Sequence, residues 1–203
     1  MISHEHQCIF LHIPRTGGTS IEMWLNDGVS IQPHMQHLLA SQAKEFYADY
    51  WDNYFKFSIV REPVSRVLSC LAFPREFGLV RSERSIDFSG YSDRFRHQGL
   101  NLTLEHDYRY HPHPDPLNVT GKYKPGTVYV NMLDEPIDYI GRTEDLVDHV
   151  AEIKKLLGIK VPFDDWFRYE VSVIRHNRDL DEKTLDQIHT LYREDYERFG
   201  YVY

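Results

Sequence analysis

Two stretches of the chain are almost wholly apolar, and each runs straight into a charged turn. "CIFLHI", Cys8–Ile13, and "YFKFSIV", Tyr54–Val60, read as buried strands. The segment after each turn has a helical period. After the first, Ile21, Trp24 and Leu25 set one inward face for a helix over Thr19–Asn26. After the second, Pro63 suits a first helical turn, where its missing N–H is not needed, and Val64, Val67, Leu68 and Leu71 face the core. Between the strands, Leu39, Ala43, Phe46 and Tyr50 predict a helix through Tyr50 with Ser41 as its N-cap. A short strand is placed near Val29–Gln32.

Further on, Val128–Leu133 and Tyr139–Gly141 read as strands. Thr143 is expected to cap a helix over Glu144–Leu157, with Lys154 and Lys155 in its last turn and Gly158 as its stop. A last helix, Asp181–Phe199, carries Leu185, Ile188, Leu191, Tyr192, Tyr196 and Phe199 and ends at Gly200. Strands alternating with helices predict an α/β fold in three layers, a mainly parallel sheet flanked by helices. Ligands of such sheets sit beyond the carboxyl ends of the strands, where both charged turns lie. Residues 73–126 break the pattern. They are rich in Arg, His, Tyr and Pro and read as an irregular insert of the kind that forms binding loops.

Composition narrows the class. A length of 203 residues suits one domain, 1–203. A net charge of −8 argues against a broad nucleic-acid surface while leaving room for a local basic pocket. Cys8 and Cys70 are the only cysteines, so free thiols are expected rather than a disulfide framework. With neither a membrane-length apolar run nor a leader-like start, a cytoplasmic protein is expected.

The chemistry lies in the two turns. In "PRTGGTS", Gly17 and Gly18 let the backbone aim N–H groups at an anion, and the following helix adds its N-terminal donors. Thr16, Thr19 and Ser20 bring hydroxyls, and Arg15 brings a permanent charge. The stretch is not the G-x-x-x-x-G-K-[ST] loop, since no Lys precedes Thr19. In the second turn Arg61 ends the strand and Ser69 follows eight residues later, two helical turns on. Helical side chains lean toward the N-terminus, so Ser69 can aim back at an anion held by Arg61. Two such sites suit a ligand with phosphate groups at two places.

"FLHIPRTGGTS" with "FKFSIVREPVSRVLS" resembles the sulfotransferase family of carbohydrate, heparan sulfate and bacterial enzymes, and the likeness continues through "YIGRTEDL" and "LYREDYERFGY". The resemblance implies a P-loop NTPase-like sulfotransferase fold and 3′-phosphoadenosine 5′-phosphosulfate as donor, with no metal. It assigns Arg15, Thr16, Gly17, Gly18, Thr19 and Ser20 to the 5′-phosphosulfate, and Arg61 and Ser69 to the 3′-phosphate. The family carries Lys where this chain has Arg15, a residue that keeps the charge and can grip two oxygens but does not give up a proton. The catalytic residues it implies are Arg15 and a histidine base. Relatives with a His before the helix that precedes the "YFKF" strand point to His37, with His34 as the alternative. His12 is expected to support the loop.

"HDYRYHPHPD", His106–Asp115, has metal-ligating residue types, but its prolines favour an irregular acceptor-side loop. In the insert, arginines at 75, 81, 84, 94, 96 and 109 are matched by acids at 76, 83, 87, 93, 105 and 107. With no excess charge and many aromatics, the expected acceptor is a carbohydrate or a small hydroxylated metabolite. Two rival readings remain. A P-loop kinase would use Asp134, after "VYVNML", to position Mg²⁺. A non-catalytic nucleotide-binding protein on the same fold would account for Arg15.

Overall fold

The computed structural model describes residues 1–13, 15–26, 38–71, 132–163 and 182–203. They fall into two compact units, Met1–Arg61 with Met132–Tyr169, and Glu62–Asn131 with Glu170–Tyr203. In chain order the helices are α1 (Gly18–Leu25), α2 (Ala40–Phe46), α3 (Ala48–Trp51), α4 (Pro63–Leu71), α5 (Leu146–Leu157), α6 (Glu182–Leu191) and α7 (Arg193–Phe199). The strands are β1 (Ile2–Ser3), β2 (Cys8–Leu11), β3 (Phe55–Val60) and β4 (Tyr139–Arg142).

All four strands belong to the first unit and form one mixed sheet in the order β1-β2-β3-β4. The edge strand β1 runs antiparallel to β2, and the other pairs are parallel. The architecture is therefore α/β. Every residue of β2 is buried, as an apolar run without alternation requires of a strand covered on both faces. Phe10 and Phe57 are register partners with rings 5.0 Å apart. They anchor a core that includes Ile21 and Trp24 of α1, Ile59 of β3, and Val150 and Ile153 of α5. The Trp24 indole N–H donates to the Val161 carbonyl at 3.1 Å, joining α1 to the chain beyond α5.

Several boundaries differ from expectation, each for a local reason. β2 stops at Leu11, where its pairing with Ser58 ends, and not at Ile13. The helix expected through Tyr50 is broken at Tyr47, whose φ of −111° and ψ of 32° separate α2 from α3. Ser41 is not a cap but lies inside α2. Asp134 does the capping from far along the chain, accepting from the Ser41 N–H at 2.8 Å and the Ser41 hydroxyl at 2.7 Å. Of the strand expected over Val128–Leu133, Met132 is helical and Leu133 a turn; the rest lies outside the described residues. The Val29–Gln32 strand also lies outside them. α5 starts at Leu146 rather than Glu144, and its stop is Gly158 with φ +65°. In the second unit the last helix is two, parted at Tyr192 and closed by Gly200 with φ +66°.

Among the described residues the buried Tyr47 hydroxyl has no hydrogen-bond partner. Burial, with the Glu22 charge as the smaller cause, pushes this phenol up to about 12. The unfolded chain loses the proton near the ordinary value of 10.0 while the folded chain keeps it. The contribution to stability is complete below pH 10.0 and is lost as pH rises to about 12. Tyr47→Phe should leave stability at neutral pH unchanged or raise it by up to about 1–3 kcal/mol, the desolvation of an unpaired hydroxyl. It should also flatten the alkaline decline. Urea unfolding at neutral pH and near pH 11 measures both effects.

Candidate anion-binding site

Beyond Leu11 the chain leaves the sheet through His12 and Ile13, turns, and enters α1 at Gly18. The turn uses the left-handed region twice, at Arg15 (φ +67°) and Gly17 (φ +82°). Glycine does this without a Cβ penalty. Arginine does not, and a non-glycine residue held there costs about 1–3 kcal/mol unless its surroundings over-determine it.

Three contacts supply that determination. The Thr16 hydroxyl donates to the Ile13 carbonyl at 2.8 Å. Arg61, at the end of β3, donates from Nη1 to the Arg15 carbonyl at 3.3 Å. Thr143, just past β4, places its hydroxyl 2.9 Å from the Thr16 carbonyl and 3.0 Å from that of Val60. The C=O and N–H of a trans peptide point in opposite directions. Tying the Arg15 and Thr16 carbonyls to the neighbouring strand ends therefore turns the N–H groups of Thr16 and Gly17 the other way.

Those donors lead into an open helix end. Gly17 is the N-cap of α1 and makes no side-chain cap. Of the first-turn N–H groups, that of Ser20 turns back to the Gly17 carbonyl at 3.1 Å, and the helix dipole adds partial positive charge, so this end favours an anion. Arg15 and Thr19 are half-buried beside it, and Ser20 is buried. The Thr16 hydroxyl, expected to face an anion, is instead committed to the Ile13 carbonyl.

One acid lies under this turn. Glu22 is fully buried in α1, with Oε1 2.8 Å from Nδ1 of the buried His12. Sequence reasoning gave His12 a supporting part but passed over Glu22. The available signal was an acid among the inward-facing residues of an amphipathic helix.

The structure thus gathers Arg15, Thr16, Gly17, Gly18, Thr19 and Ser20 into one loop and first turn and brings Arg61 to it. Ser69 is buried on α4, in the second unit. That unit holds a second acid that sequence reasoning missed. Glu62 accepts from the Val64 and Ser65 N–H groups at 2.8 and 2.7 Å and from the Tyr196 hydroxyl at 2.8 Å. Burial, reinforced by that bond, holds the Tyr196 phenol above its ordinary range. Thr143 does not cap α5, because its hydroxyl is engaged at the loop; the N-cap is Asp145. His34, His37 and the 73–126 insert, including His106–Asp115, lie outside the described residues. Among the described residues no cluster of His, Cys, Asp or Glu could hold a metal ion, and no helix is long and apolar enough to cross a membrane.

Residues 1–73 match the sulfotransferase family. The matched segment runs from β1 through α4 and holds both motifs, Arg15–Ser20 and Arg61 with Ser69. Searches of curated proteins and of solved structures return no match. The family resemblance read from the motifs and the family match therefore coincide on the part of the chain that builds the loop.

Thr143→Val should destabilise the fold by about 0.5–1.5 kcal/mol, the net worth of the lost hydrogen bond, whereas Thr143→Ser should retain it. Paired urea unfolding curves distinguish the two variants.

Proposed function

We propose that this chain is a sulfotransferase that takes a sulfuryl group from 3′-phosphoadenosine 5′-phosphosulfate and gives it to an acceptor hydroxyl, on a carbohydrate or a small hydroxylated molecule. The observation that carries the reading is the bond from Arg61 to the Arg15 carbonyl, which brings the cation of the second motif to the loop of the first. The residues present suit the donor. A glycine turn leads into an open helix end where a 5′-phosphosulfate would lie, with Arg15, Thr19 and Ser20 beside it. Arg61 is assigned to the 3′-phosphate. Ser69 is assigned with it on the motif alone.

When bound, the donor supplies an activated sulfuryl group, which passes to the acceptor oxygen as adenosine 3′,5′-bisphosphate leaves. The chain's part is positioning and electrostatic stabilisation. Arg15 holds negative charge on the bridging phosphate oxygen, and the loop N–H groups hold the non-bridging ones. His37 takes the acceptor proton, with His34 as the alternative. A sulfuryl group carries less charge than a phosphoryl group, so donors and cations of the chain suffice without a metal ion. The kinase reading loses its support at Asp134, whose carboxylate is engaged in capping α2.

Calorimetric titration with adenosine 3′,5′-bisphosphate and with AMP tests the donor assignment. A charge-assisted contact is worth about 1.5–3 kcal/mol, so loss of the 3′-phosphate or Arg61→Ala should each weaken binding by roughly ten- to a hundred-fold. In Arg61→Ala the preference for the bisphosphate over AMP should disappear, and AMP itself should bind more weakly because the loop loses its brace. Equal affinity for AMP and the bisphosphate in the wild type would sink the assignment. Sulfuryl transfer should persist in chelator and fall by about 10²–10⁴ in His37→Ala. Bisphosphate binding without turnover on any hydroxyl acceptor would instead favour a nucleotide-binding protein.

A further inference from the structure

We propose that His12, oriented by Glu22, is a positioning residue for the donor loop, its ring fixing the seat of the first turn of α1 against the end of β2. This inference rests on the sulfotransferase reading and adds to it a residue pair that the binding motifs do not include. Three contacts surround the ring. One face stacks on Phe10, with centroids 5.6 Å apart and planes 23° from parallel. Nδ1 lies 2.8 Å from Glu22 Oε1. The remaining edge meets Gly18, where any Cβ would fall onto Cδ2 and Nε2 of the imidazole.

The two glycines of the motif therefore answer different demands. Gly17 needs its left-handed φ of +82°. Gly18 is not among the positive-φ glycines, and what excludes a side chain there is the His12 ring. Glycine at 18 and histidine at 12 form one steric unit, and the Glu22 bond to Nδ1 gives the imidazole plane a direction. An apolar ring could cover Phe10 equally well. Packing alone would then hold its plane, without the Nδ1 bond that ties the ring to α1.

A buried ion pair or charged hydrogen bond adds little net stability over apolar residues of the same volume, so packing alone gives a weak reason for this pair. Position gives a stronger one. Glu22 lies one helical turn from Gly18, on the helix whose open end receives the anion. An unpaired carboxylate there would oppose the ligand, and Nδ1–H of His12 meets its charge while the other edge sets the turn. Displacement of well-placed donors by a fraction of an ångström is enough to weaken such a site.

The decisive variant is the apolar replacement His12→Phe with Glu22→Met, which removes the directional bond without leaving a buried charge. Thermal melting should show it folded, near wild-type stability. In calorimetry it should bind AMP and adenosine 3′,5′-bisphosphate each about ten-fold more weakly than wild type, about 1.4 kcal/mol. The preference for the bisphosphate should be unchanged, since the pair supports the 5′ end. A folded variant that binds both nucleotides like wild type overturns the inference.

Wild-type protein gives a second readout that does not depend on the variant folding. Saturation with AMP should shift the ring-nitrogen NMR resonances of His12, and unmoved resonances overturn the inference as well. Failure of the underlying reading looks different: the wild type shows no preference for the bisphosphate over AMP. If the wild type binds neither nucleotide, the inference falls with the reading.

Discussion

The Arg15 and Thr16 carbonyls are both engaged from outside their own loop, by Arg61 and Thr143, and the shape of the turn depends on this. A glycine loop left to itself has many conformations, most of which direct its N–H groups nowhere in particular. Here the parallel register removes that freedom. Leu11 is opposite Ser58 and Val60 is opposite Arg142, so the carboxyl ends of β2, β3 and β4 lie side by side. The residues just beyond them, the 12–17 loop, Arg61 and Thr143, converge at one end of the sheet. Three short connections from distant parts of the sequence then brace one another. The left-handed Arg15 is held by this bracing.

Much of this was legible in sequence, and the exceptions have physical causes. Uninterrupted apolar runs announced β2 and β3, and Gly158 and Gly200 announced helix ends, because those signals are local. The break at Tyr192 was not legible, since Ile188, Tyr192, Tyr196 and Phe199 keep helical spacing and burial across it; at Tyr47 the expected face is displaced as well, with Phe46 and Tyr50 exposed and Tyr47 and Trp51 buried. β1 has two residues, too few for any period. Cap chemistry pointed to Ser41 and Thr143 as N-caps, and neither is one, because tertiary partners take both side chains. Asp134 reaches Ser41 across 93 positions, and the Thr16 carbonyl takes Thr143 across 127. At the site, the loop and Arg61 could be read from residue type and spacing. Glu22 could not, because an acid within an inward-facing stripe looks like a flaw in the pattern until its partner ten residues earlier is seen.

The capping role of Asp134 bears on chemistry as well as on fold. An acid following an apolar segment is the feature that most favours a metal-dependent nucleotide enzyme in this sequence. In the structure both of its oxygens serve the first turn of α2, and the adjacent Glu135 pairs with Lys44 of the same helix at 2.9 Å. The two acids act as one clamp on α2. An apolar run ending in an acid is thus equally compatible with a helix clamp, and position along the chain alone does not distinguish the two.

The helices after the two motif strands differ at their N-termini. α1 opens on Gly17 with no side-chain cap, and its Ser20 N–H turns back to the Gly17 carbonyl. α4 is closed by its own acid, since Glu62 accepts from Val64 and Ser65 and holds the Tyr196 hydroxyl with the same carboxylate. A carboxylate already placed at a helix N-terminus fills the position that a phosphate would take and repels one that approaches. A helix N-terminus without a side-chain cap is therefore a feature of α1 and not of α4. The difference follows from the residues themselves: a glycine pair leads into α1, whereas Glu62 and Pro63 open α4.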